Sequence, residues 1–450
     1  MLLAFRVPFF VEDTLTAPGL NYLLIGEKLA DGERLYSEVW DNIGPLAAVV
    51  YGIIDFLFGR SQLAYQLISW FLVFFQVFIF NKLLLTHKAY NENTYLPGLI
   101  YALLMSFFWD FFTLTPLLMS MTFVLLALYN IFSHIEFRAK RDEMILNIGL
   151  YLGLAYLFYL PTFILGLGTL VIFLFFTGTV TRRYLMVIYG FILPFILAFL
   201  YFLLTGRSQE FIYNFVQPLF FGHRNWYVSY GAILLIFSVP LFLLVMSLIK
   251  MGSSGRFNNY QARLNQAMFV WLFFSLIVIF LGEINAPNTY IIMVPALSFY
   301  FTHYFLLMRR KWLAELVFLA FFVSLIMVNY GGVYDFFHVV KPSNFEDYRI
   351  PKDSYQQYAN KKILVLGEDM HAYRHARAAT PFLDWDISKS VFQNPGYYDN
   401  LSVILQGFEN DPPEVIIDEK EVLPAIQEKI VSLRLNYKLV SPGVYQRVNN

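Results

Sequence analysis

The chain has 450 residues, of which 58% are hydrophobic and only 14% are charged. Soluble domains usually carry roughly 25% charged residues, so this composition indicates a polytopic α-helical membrane protein. The formal net charge is zero, which gives no indication of a nucleic-acid partner. There is no cysteine, which excludes disulfides, thiolate zinc sites and a cysteine nucleophile.

The first 46 residues begin apolar and then become acidic. Residues 1–10 are half of the about 20 residues that a membrane span needs, so we interpret them as the outer end of a first span that starts upstream. A short segment that dips into the membrane is the alternative. Residues 11–46 contain seven acidic residues: Glu12, Asp13, Glu27, Asp31, Glu33, Glu38 and Asp41. Carboxylates at a water–lipid boundary indicate a functional site.

Glu12 and Asp13 stand where the first span would emerge from the membrane. A carboxylate partly shielded by lipid and helices has a raised proton affinity and can act as a general base. These two residues are therefore the candidate catalytic carboxylates, with Asp13 first. The alternative is a solvated loop edge.

Two short helices are predicted in the first external loop, residues 11–61. Ala17–Ala30 has leucines on one side and Pro18 near its start. Leu46–Phe58 follows Gly44-Pro45 and has about 13 residues, which is too short to cross a membrane. It is predicted to lie at the interface or to re-enter the membrane.

Ten spans are predicted after this loop, which makes about eleven with the partial first one. They lie near 62–82, 95–109, 115–133, 145–160, 162–177, 184–204, 231–250, 266–282, 289–308 and 312–330. The apolar run 145–177 is too long for one crossing at about 1.5 Å per residue. Pro161 is therefore predicted to separate two short spans.

The charges of the connecting loops predict the orientation. One set of alternate connections holds 13 Lys and Arg, whereas the opposite short connections hold only Arg207 and Arg224. The basic set is Lys82, Lys88, Arg138, Lys140, Arg141, Arg182, Arg183, Lys250, Arg256, Arg263, Arg309, Arg310 and Lys311. Basic loops remain in the cytoplasm, so the 11–61 loop and the C-terminus are predicted to lie outside. This alternation of inner and outer loops requires that Leu46–Phe58 does not cross the membrane.

Residues 1–340 are therefore predicted to form a transmembrane domain, and 341–450 a small extracytoplasmic α/β domain. Lys362–Gly367 and Glu414–Asp418 are typical of buried strands. Val422–Leu433 is typical of an amphipathic helix, and 437–448 of a hairpin.

His223 and Arg224 lie in the largest loop predicted outside, beside aromatic residues. Arginine binds phosphate through paired hydrogen bonds, so these residues are candidates for holding a lipid phosphate at the headgroup level. The alternative is an aromatic belt at the interface with a lipid-binding arginine.

Glu283 and Asn288 lie on either side of the last predicted outer turn between spans. They are candidates for lining the mouth of a cavity, with helix capping as the alternative. Asp110 stands in a tight outer turn, where a turn residue is the favoured interpretation.

The sequence contains no nucleotide-binding motif. His371 and His375 have the i, i+4 spacing of metal ligands, but no H-E-x-x-H pattern accompanies them, and a solvated polar helix face is the favoured interpretation. No cofactor is predicted; a divalent metal is possible, without a motif for it.

Several short motifs together resemble the GT-C-fold membrane glycosyltransferases that use sugars linked to polyprenyl phosphate. After the acidic start come Gly32-Glu33-Arg34-Leu35-Tyr36, then Gly44-Pro45-Leu46, then Phe58-Gly59-Arg60-Ser61 leading into a span. The stretch from Pro287-Asn288-Thr289-Tyr290 to Pro295-Ala296-Leu297 and the strand Ile363–Leu366 are similar to that family as well. The resemblance covers the whole chain in topology.

The resemblance implies an acidic residue in the first external loop that acts as base or binds the acceptor, which maps to Asp13, with Glu12 next. The family's Asp-Glu pair stands here in the order Glu12-Asp13. Arg224 would bind the donor phosphate. His223, Glu283, Asp41 and Asn288 are the further candidate substrate-binding residues.

The implied function is transfer of a sugar from a polyprenyl-phosphate carrier to a glycan, lipid or protein acceptor at the outer face of a bacterial inner membrane. A non-catalytic scaffold subunit of a cell-envelope complex with the same fold is the alternative. A transporter is disfavoured, because no pair of broken helices in matched halves is evident and the spans contain few charges.

Overall fold

A computed structural model describes residues 15–137, 142–178, 180–221, 225–255, 257–282, 284–334, 348–353 and 355–448. The chain forms two compact units. Unit one contains the described residues of 63–198 and 224–345, and unit two those of 13–62, 199–223 and 346–450. The predicted boundary between a transmembrane domain and a C-terminal domain, near residue 340, stays a prediction.

Unit one is helical. Its helices are α3 (Gln62–Thr86), α4 (Leu96–Leu104), α5 (Pro116–Phe137), α6 (Asp142–Phe158), α7 (Ile164–Phe176), α8 (Thr181–Leu204, whose last residues belong to unit two), α11 (Tyr230–Ile236), α12 (Ser238–Ser254), α13 (Asn259–Leu281), α14 (Val294–Leu306) and α15 (Lys311–Tyr334). Short 3₁₀ helices cover Trp109–Phe112, Leu160–Phe163 and Pro287–Met293. A two-residue parallel pair joins β1 (Asn225–Trp226) to β2 (Ile284–Asn285).

Six helical segments of the described chain are long and apolar enough to cross a membrane. They are Gln62–Thr86, Pro116–Glu136, Thr181–Leu204, Asn259–Leu281, Pro287–Leu306 and Lys311–Gly331. A seventh span results if α11 and α12, which are bent by 64° at their junction, are taken together. Helices also stand at the other predicted positions, but α4 has 9 residues and α7 has 13. The total of about eleven spans stays a prediction.

The predicted break in the long apolar run 145–177 is confirmed. Pro161 lies in the 3₁₀ turn Leu160–Phe163, between α6 and α7. Glycines let α6 and α8 approach closely: a Cβ on Gly149 would lie 2.2 Å from the Val187 carbonyl oxygen, and one on Gly190 would lie 2.5 Å from the Leu146 oxygen. Small residues at such contacts are typical of helix pairs in membranes.

Unit two combines helices with a five-stranded sheet. Its helices are α1 (Ala17–Ala30), α2 (Pro45–Phe58), α9 (Ser208–Phe211), α10 (Pro218–Phe221), α16 (Trp385–Phe392), α17 (Tyr398–Asn410), α18 (Leu423–Lys429) and α19 (Val431–Asn436), with a π-helical turn at Ile212–Val216. Its strands are β3 (Lys362–Leu366), β4 (Arg377–Ala378), β5 (Val415–Asp418), β6 (Tyr437–Ser441) and β7 (Val444–Arg447).

The sheet order is β4-β3-β5-β7-β6, with β3, β4 and β5 parallel and the β6–β7 hairpin antiparallel at one end. Strands β3 and β5 are buried apart from Lys362, and the helices α16 to α19 complete a hydrophobic core around them. The two predicted strands and the hairpin are confirmed.

Two predictions for this region were wrong in detail. The helix predicted at Val422–Leu433 is divided at Ile430 into α18 and α19, since Ile430 has an extended backbone. The polar helix face predicted to carry His371 and His375 does not form. His371–Arg374 makes a single 3₁₀ turn, and the chain then enters strand β4 at Arg377.

Candidate functional site

Most of the predicted site residues lie outside the described residues: Glu12, Asp13, His223, Arg224 and Glu283. Asp41 and Asn288 are described, Asp41 in unit two and Asn288 in unit one.

The helices α1 and α2 pack against each other within unit two. Thr16 caps α1 by accepting a hydrogen bond from the Gly19 amide at 3.0 Å, and Pro45 starts α2. The rings of Tyr22 and Tyr51 stack with centroids 5.2 Å apart, which joins the two helices. The loop between them, residues 31–44, therefore connects two helices that are fixed to each other.

Helix α2 has 14 residues, or about 21 Å of length at 1.5 Å per residue. It ends at Gly59, whose φ of +66° is a left-handed conformation that glycine adopts without strain. One side is buried and carries Asp55, whereas apolar side chains are exposed on the other: Val49, Ile53, Phe56, Leu57 and Phe58. This length and this exposed apolar side support the prediction of an interfacial helix.

Asp41 lies in the loop between α1 and α2 and is only 2% exposed. Its carboxylate accepts hydrogen bonds from the Asn21 side-chain amide at 2.7 Å and from the Ile43 backbone amide at 2.8 Å. Burial raises the pKa of Asp41 to about 6, although these two hydrogen bonds act in the opposite direction. Asp41 thus fixes the start of α2 to α1 through neutral partners.

A second carboxyl group, Asp384, lies beside this loop. The Asp384 amide donates to the Trp40 carbonyl oxygen at 3.1 Å, and the Trp40 amide donates to the Pro381 oxygen at 2.8 Å. Asp384 caps α16 by accepting from the Asp386 amide at 2.8 Å. Burial, followed by the nearby Asp41 and Asp386 charges, raises the pKa of Asp384 to about 8.

Sequence reasoning missed Asp384. Its sequence signal is Asp384-Trp385-Asp386 ahead of an amphipathic segment, which indicates a helix N-cap but not a carboxyl neighbour. The backbone pairing between Trp40 and the segment 381–384 brings it next to Asp41 across more than 340 positions of sequence.

Tyr36 anchors the same loop to the segment that follows α8. It is fully buried, with φ of +69°, a conformation that costs energy in a residue other than glycine. Its hydroxyl donates to the Ile43 oxygen at 2.6 Å, and its own carbonyl oxygen accepts from the Asn214 side-chain amide at 2.9 Å. Asn214 lies in the π-helical turn, a feature often found at functional sites. The surrounding contacts therefore impose the strained conformation.

Three other carboxylates of the 11–61 loop, Glu27, Asp31 and Glu33, have cationic partners. Glu27 pairs with Arg60 at 3.3 Å and with Arg377 at 3.0 Å, and Lys28 pairs with Glu33 at 2.6 Å. Asp31 also pairs with Arg377. The pairs of Arg377 attach α1 to strand β4, and the pair of Glu27 with Arg60 joins α1 to the residues that follow α2.

Arg60 strengthens this attachment, because it also donates to the carbonyl oxygens of Tyr373 at 2.6 Å and Ala376 at 2.7 Å. Asp55 is nearby and buried. Burial and the charges of Glu27 and Asp31 raise the pKa of Asp55 to about 6, against the opposing effect of Arg60.

Asn288, in unit one, is held by Asp110. Asp110 is fully buried and accepts from the Asn288 backbone amide at 2.8 Å and from its side-chain amide at 3.0 Å. The predicted turn residue therefore joins the 3₁₀ helix Trp109–Phe112 to the 3₁₀ helix Pro287–Met293. A role for Asn288 in substrate binding stays a prediction.

No group of three or more His, Asp or Glu residues within the described ranges is arranged to hold a metal ion. His371 pairs with Asp369, and His375 interacts through its Nε2 atom with the Lys352 carbonyl oxygen at 2.6 Å.

At the level of sequence, no protein-family model and no curated protein matches this chain. Solved structures do match it. The structure of ArnT from Cupriavidus metallidurans bound to undecaprenyl phosphate superposes with a TM-score of 0.58 and 13% identity, covering 100% of this chain and 97% of that one. The apo structure of the same ArnT gives a TM-score of 0.57, again with 13% identity. At this identity the likeness shows the fold, and it confirms the predicted GT-C fold.

Proposed function

Because the chain has the GT-C fold, we propose that it is a membrane glycosyltransferase. It would move a sugar from a polyprenyl-phosphate carrier to an acceptor at the outer face of a bacterial inner membrane. The observation that carries this proposal is the likeness over the whole chain to an ArnT structure that holds undecaprenyl phosphate, itself a polyprenyl phosphate.

In the proposed reaction, a carboxylate takes the proton from an acceptor hydroxyl while that oxygen attacks the anomeric carbon of the sugar. The bond from this carbon to the phosphate oxygen breaks, and the lipid phosphate leaves with the bonding electrons. We propose Asp13 as the base, with Glu12 as the next candidate, and Arg224 with His223 as the groups that stabilise the leaving phosphate.

The described part of the 11–61 loop would position this chemistry. Reacting groups need to be held rigidly, and loops alone rarely achieve this. Asp41 fixes the junction of α1 and α2 from a buried position, and Tyr36 fixes the same loop to the π-helical turn. We propose that Asp41 supports substrate binding by holding this loop, while Glu283 and Asn288 line the cavity mouth.

The proposal is tested by purifying the chain in detergent and measuring two quantities. One is binding of undecaprenyl phosphate, and the other is sugar transfer from undecaprenyl-phosphate-linked donors of differing sugar to cell-envelope lipid and glycan acceptors. We expect saturable lipid-phosphate binding and transfer with at least one donor. Binding without transfer from any donor would favour the scaffold alternative, and absence of binding would contradict the proposal.

A further inference from the structure

The charges of the C-terminal part of unit two are strongly segregated along the chain. Residues 348–422 contain 12 acidic residues and 8 Lys or Arg. Residues 423–448 contain a single acidic residue, Glu428, against four cations: Lys429, Arg434, Lys438 and Arg447. The last helices and the β6–β7 hairpin therefore form a basic end of an otherwise acidic domain.

These four cations are exposed and make no ion pair with any residue that the structure describes. Several earlier cations of the same domain do pair. Lys362 binds Asp411 at 2.5 Å, and Lys389 binds Asp386 at 2.7 Å. The charge at the basic end is thus available to an anionic partner.

Apolar side chains are exposed among these cations. Val431 and Leu435, one turn apart on α19, are 54% and 64% exposed. Leu439 and Val440 on β6 are 61% and 65% exposed. We call this surface, residues 431–440, the basic apolar edge, because β6 is the last strand of the sheet. Soluble surfaces rarely leave so many adjacent large apolar side chains in water, which indicates an interaction site.

A second copy of the chain is a poor partner for this edge. Pairing of β6 with β6 would bring like charges together at Lys438, and cations opposite one another destabilise a strand pair. Lysine on an edge strand is a common means of preventing such pairing. Alternating cationic and apolar side chains are typical instead of segments that lie on a membrane surface.

We propose that the basic apolar edge docks on an anionic lipid surface. The leucines and valines would enter the headgroup region, while Arg434 and Lys438 would bind lipid phosphates. Docking is intramolecular, since the chain already resides in the membrane, so modest attraction is sufficient. Each cation contributes about a fivefold change in the docking equilibrium, and the attraction weakens as salt concentration rises.

The absence of cysteine makes a direct test possible. Leu439→Cys carries an environment-sensitive fluorophore in the full chain, which is reconstituted in nanodiscs of phosphatidylcholine alone or with phosphatidylglycerol. We expect a blue shift and contact quenching by nitroxide lipids in the anionic discs only. Glu409→Cys, an exposed position on α17, is the matched control and should report water in both discs.

Charge variants complete the test. Replacing both Arg434 and Lys438 by Ala should shift docking toward the free state by about 25-fold, whereas Lys352→Ala, an exposed cation outside the edge, should leave it unchanged. A fluorophore that stays in water in every disc would overturn the proposal. So would a shift independent of lipid charge, or a shift that grows with protein concentration.

Discussion

Asp41 illustrates how its surroundings determine what a carboxylate can do. Glu27, Glu33 and Asp31 in the same loop have cationic partners. Asp41 has only neutral partners and a carboxyl neighbour, Asp384. Burial without a cation disfavours the charged form, so both carboxyl groups bind protons more tightly when the protein is folded.

This pair predicts a pH dependence of stability. The folded-state pKa is raised to about 6 for Asp41 and about 8 for Asp384. The contribution of these two groups to the free energy of unfolding is therefore fully present at acidic pH and is lost as pH rises through these values. Asp384→Asn keeps the oxygen that caps α16 but removes the charge. We expect this variant to be more stable than the native chain at pH 8, by on the order of 1 kcal/mol, and no more stable at pH 5. Thermal unfolding in detergent across this range measures the difference.

Asp399→Asn is the control for this experiment. Asp399 is exposed in the first turn of α17 and is not among the charges that raise the pKa of Asp384, so its replacement should leave the difference in stability between pH 5 and pH 8 unchanged. If the melting temperatures of the native chain and Asp384→Asn run parallel from pH 5 to pH 8, repulsion between the two carboxyl groups is not significant.

A second prediction at this scale concerns the proposed base. Asp13→Asn keeps the shape of the side chain but cannot accept a proton, so sugar transfer should fall about 10²–10⁴-fold while the protein still inserts and folds. Turnover of the purified variant with a lipid-linked donor measures this loss. Near-normal turnover in Asp13→Asn, together with a loss in Glu12→Gln, would exchange the roles of the two residues.

Arg224→Ala is the companion variant. Removing a charge-assisted contact to phosphate should weaken donor binding, so its effect should appear mainly in KM for the lipid-linked donor. Unchanged activity in all three variants would leave the scaffold alternative as the better explanation of the fold.

At the scale of elements, helix α2 combines an apolar exposed side with a length insufficient for crossing. Its buried side packs on α1, and Arg60 just after it is held by backbone carbonyl groups of the turn 371–377. A crossing helix would place these ends on opposite sides of the membrane, and Arg60 could not then reach the same unit as Asp41. The contacts within unit two thus give a structural reason for an interfacial helix.

This helix gives a testable prediction. Cysteines introduced singly at Glu38, before α2, and at Ser61, after it, should react with a membrane-impermeant maleimide from the same side of the membrane. Labelling of intact and of permeabilised cells distinguishes the two sides, and the cysteine-free chain is the blank. Reaction of the two positions from opposite sides would show that α2 crosses.

At the scale of the whole molecule, the chain connects long apolar helices to a unit assembled from three distant segments. The 11–61 loop, the segment 199–223 and the C-terminal residues fold together, although more than 100 positions separate each from the next. Ion pairs and backbone hydrogen bonds, such as those of Arg377 and Trp40, hold these segments in one unit.

The orientation of the chain gives the final prediction. The asymmetry of 13 to 2 basic residues between alternate loops predicts that 341–450 lie outside the cytoplasm. Alkaline phosphatase fused after Asn450 should be active, and green fluorescent protein fused at the same position should be dark. The opposite pattern of activities would reverse the proposed topology, and with it the proposed location of the reaction.

Sequence by itself determined the membrane class, the helices α1 and α2, the helices at the predicted span positions and the strands β3, β5, β6 and β7. Apolar runs and alternation are local properties, and each element forms largely where its own residues dictate. Short motifs in the 11–61 loop, in 287–297 and in 363–366, together with the topology of the whole chain, predicted the GT-C fold that the ArnT structures confirm.

Only the tertiary structure decided which polar groups meet. Asp384 and Asn214 give no local signal of a place beside the 11–61 loop, and Asp110 was interpreted as a turn residue although it holds Asn288. Such contacts join residues far apart in the chain, and they depend on how whole elements pack. Hydrogen bonds between side chains and distant backbones leave no periodicity in sequence, whereas burial of an apolar face does.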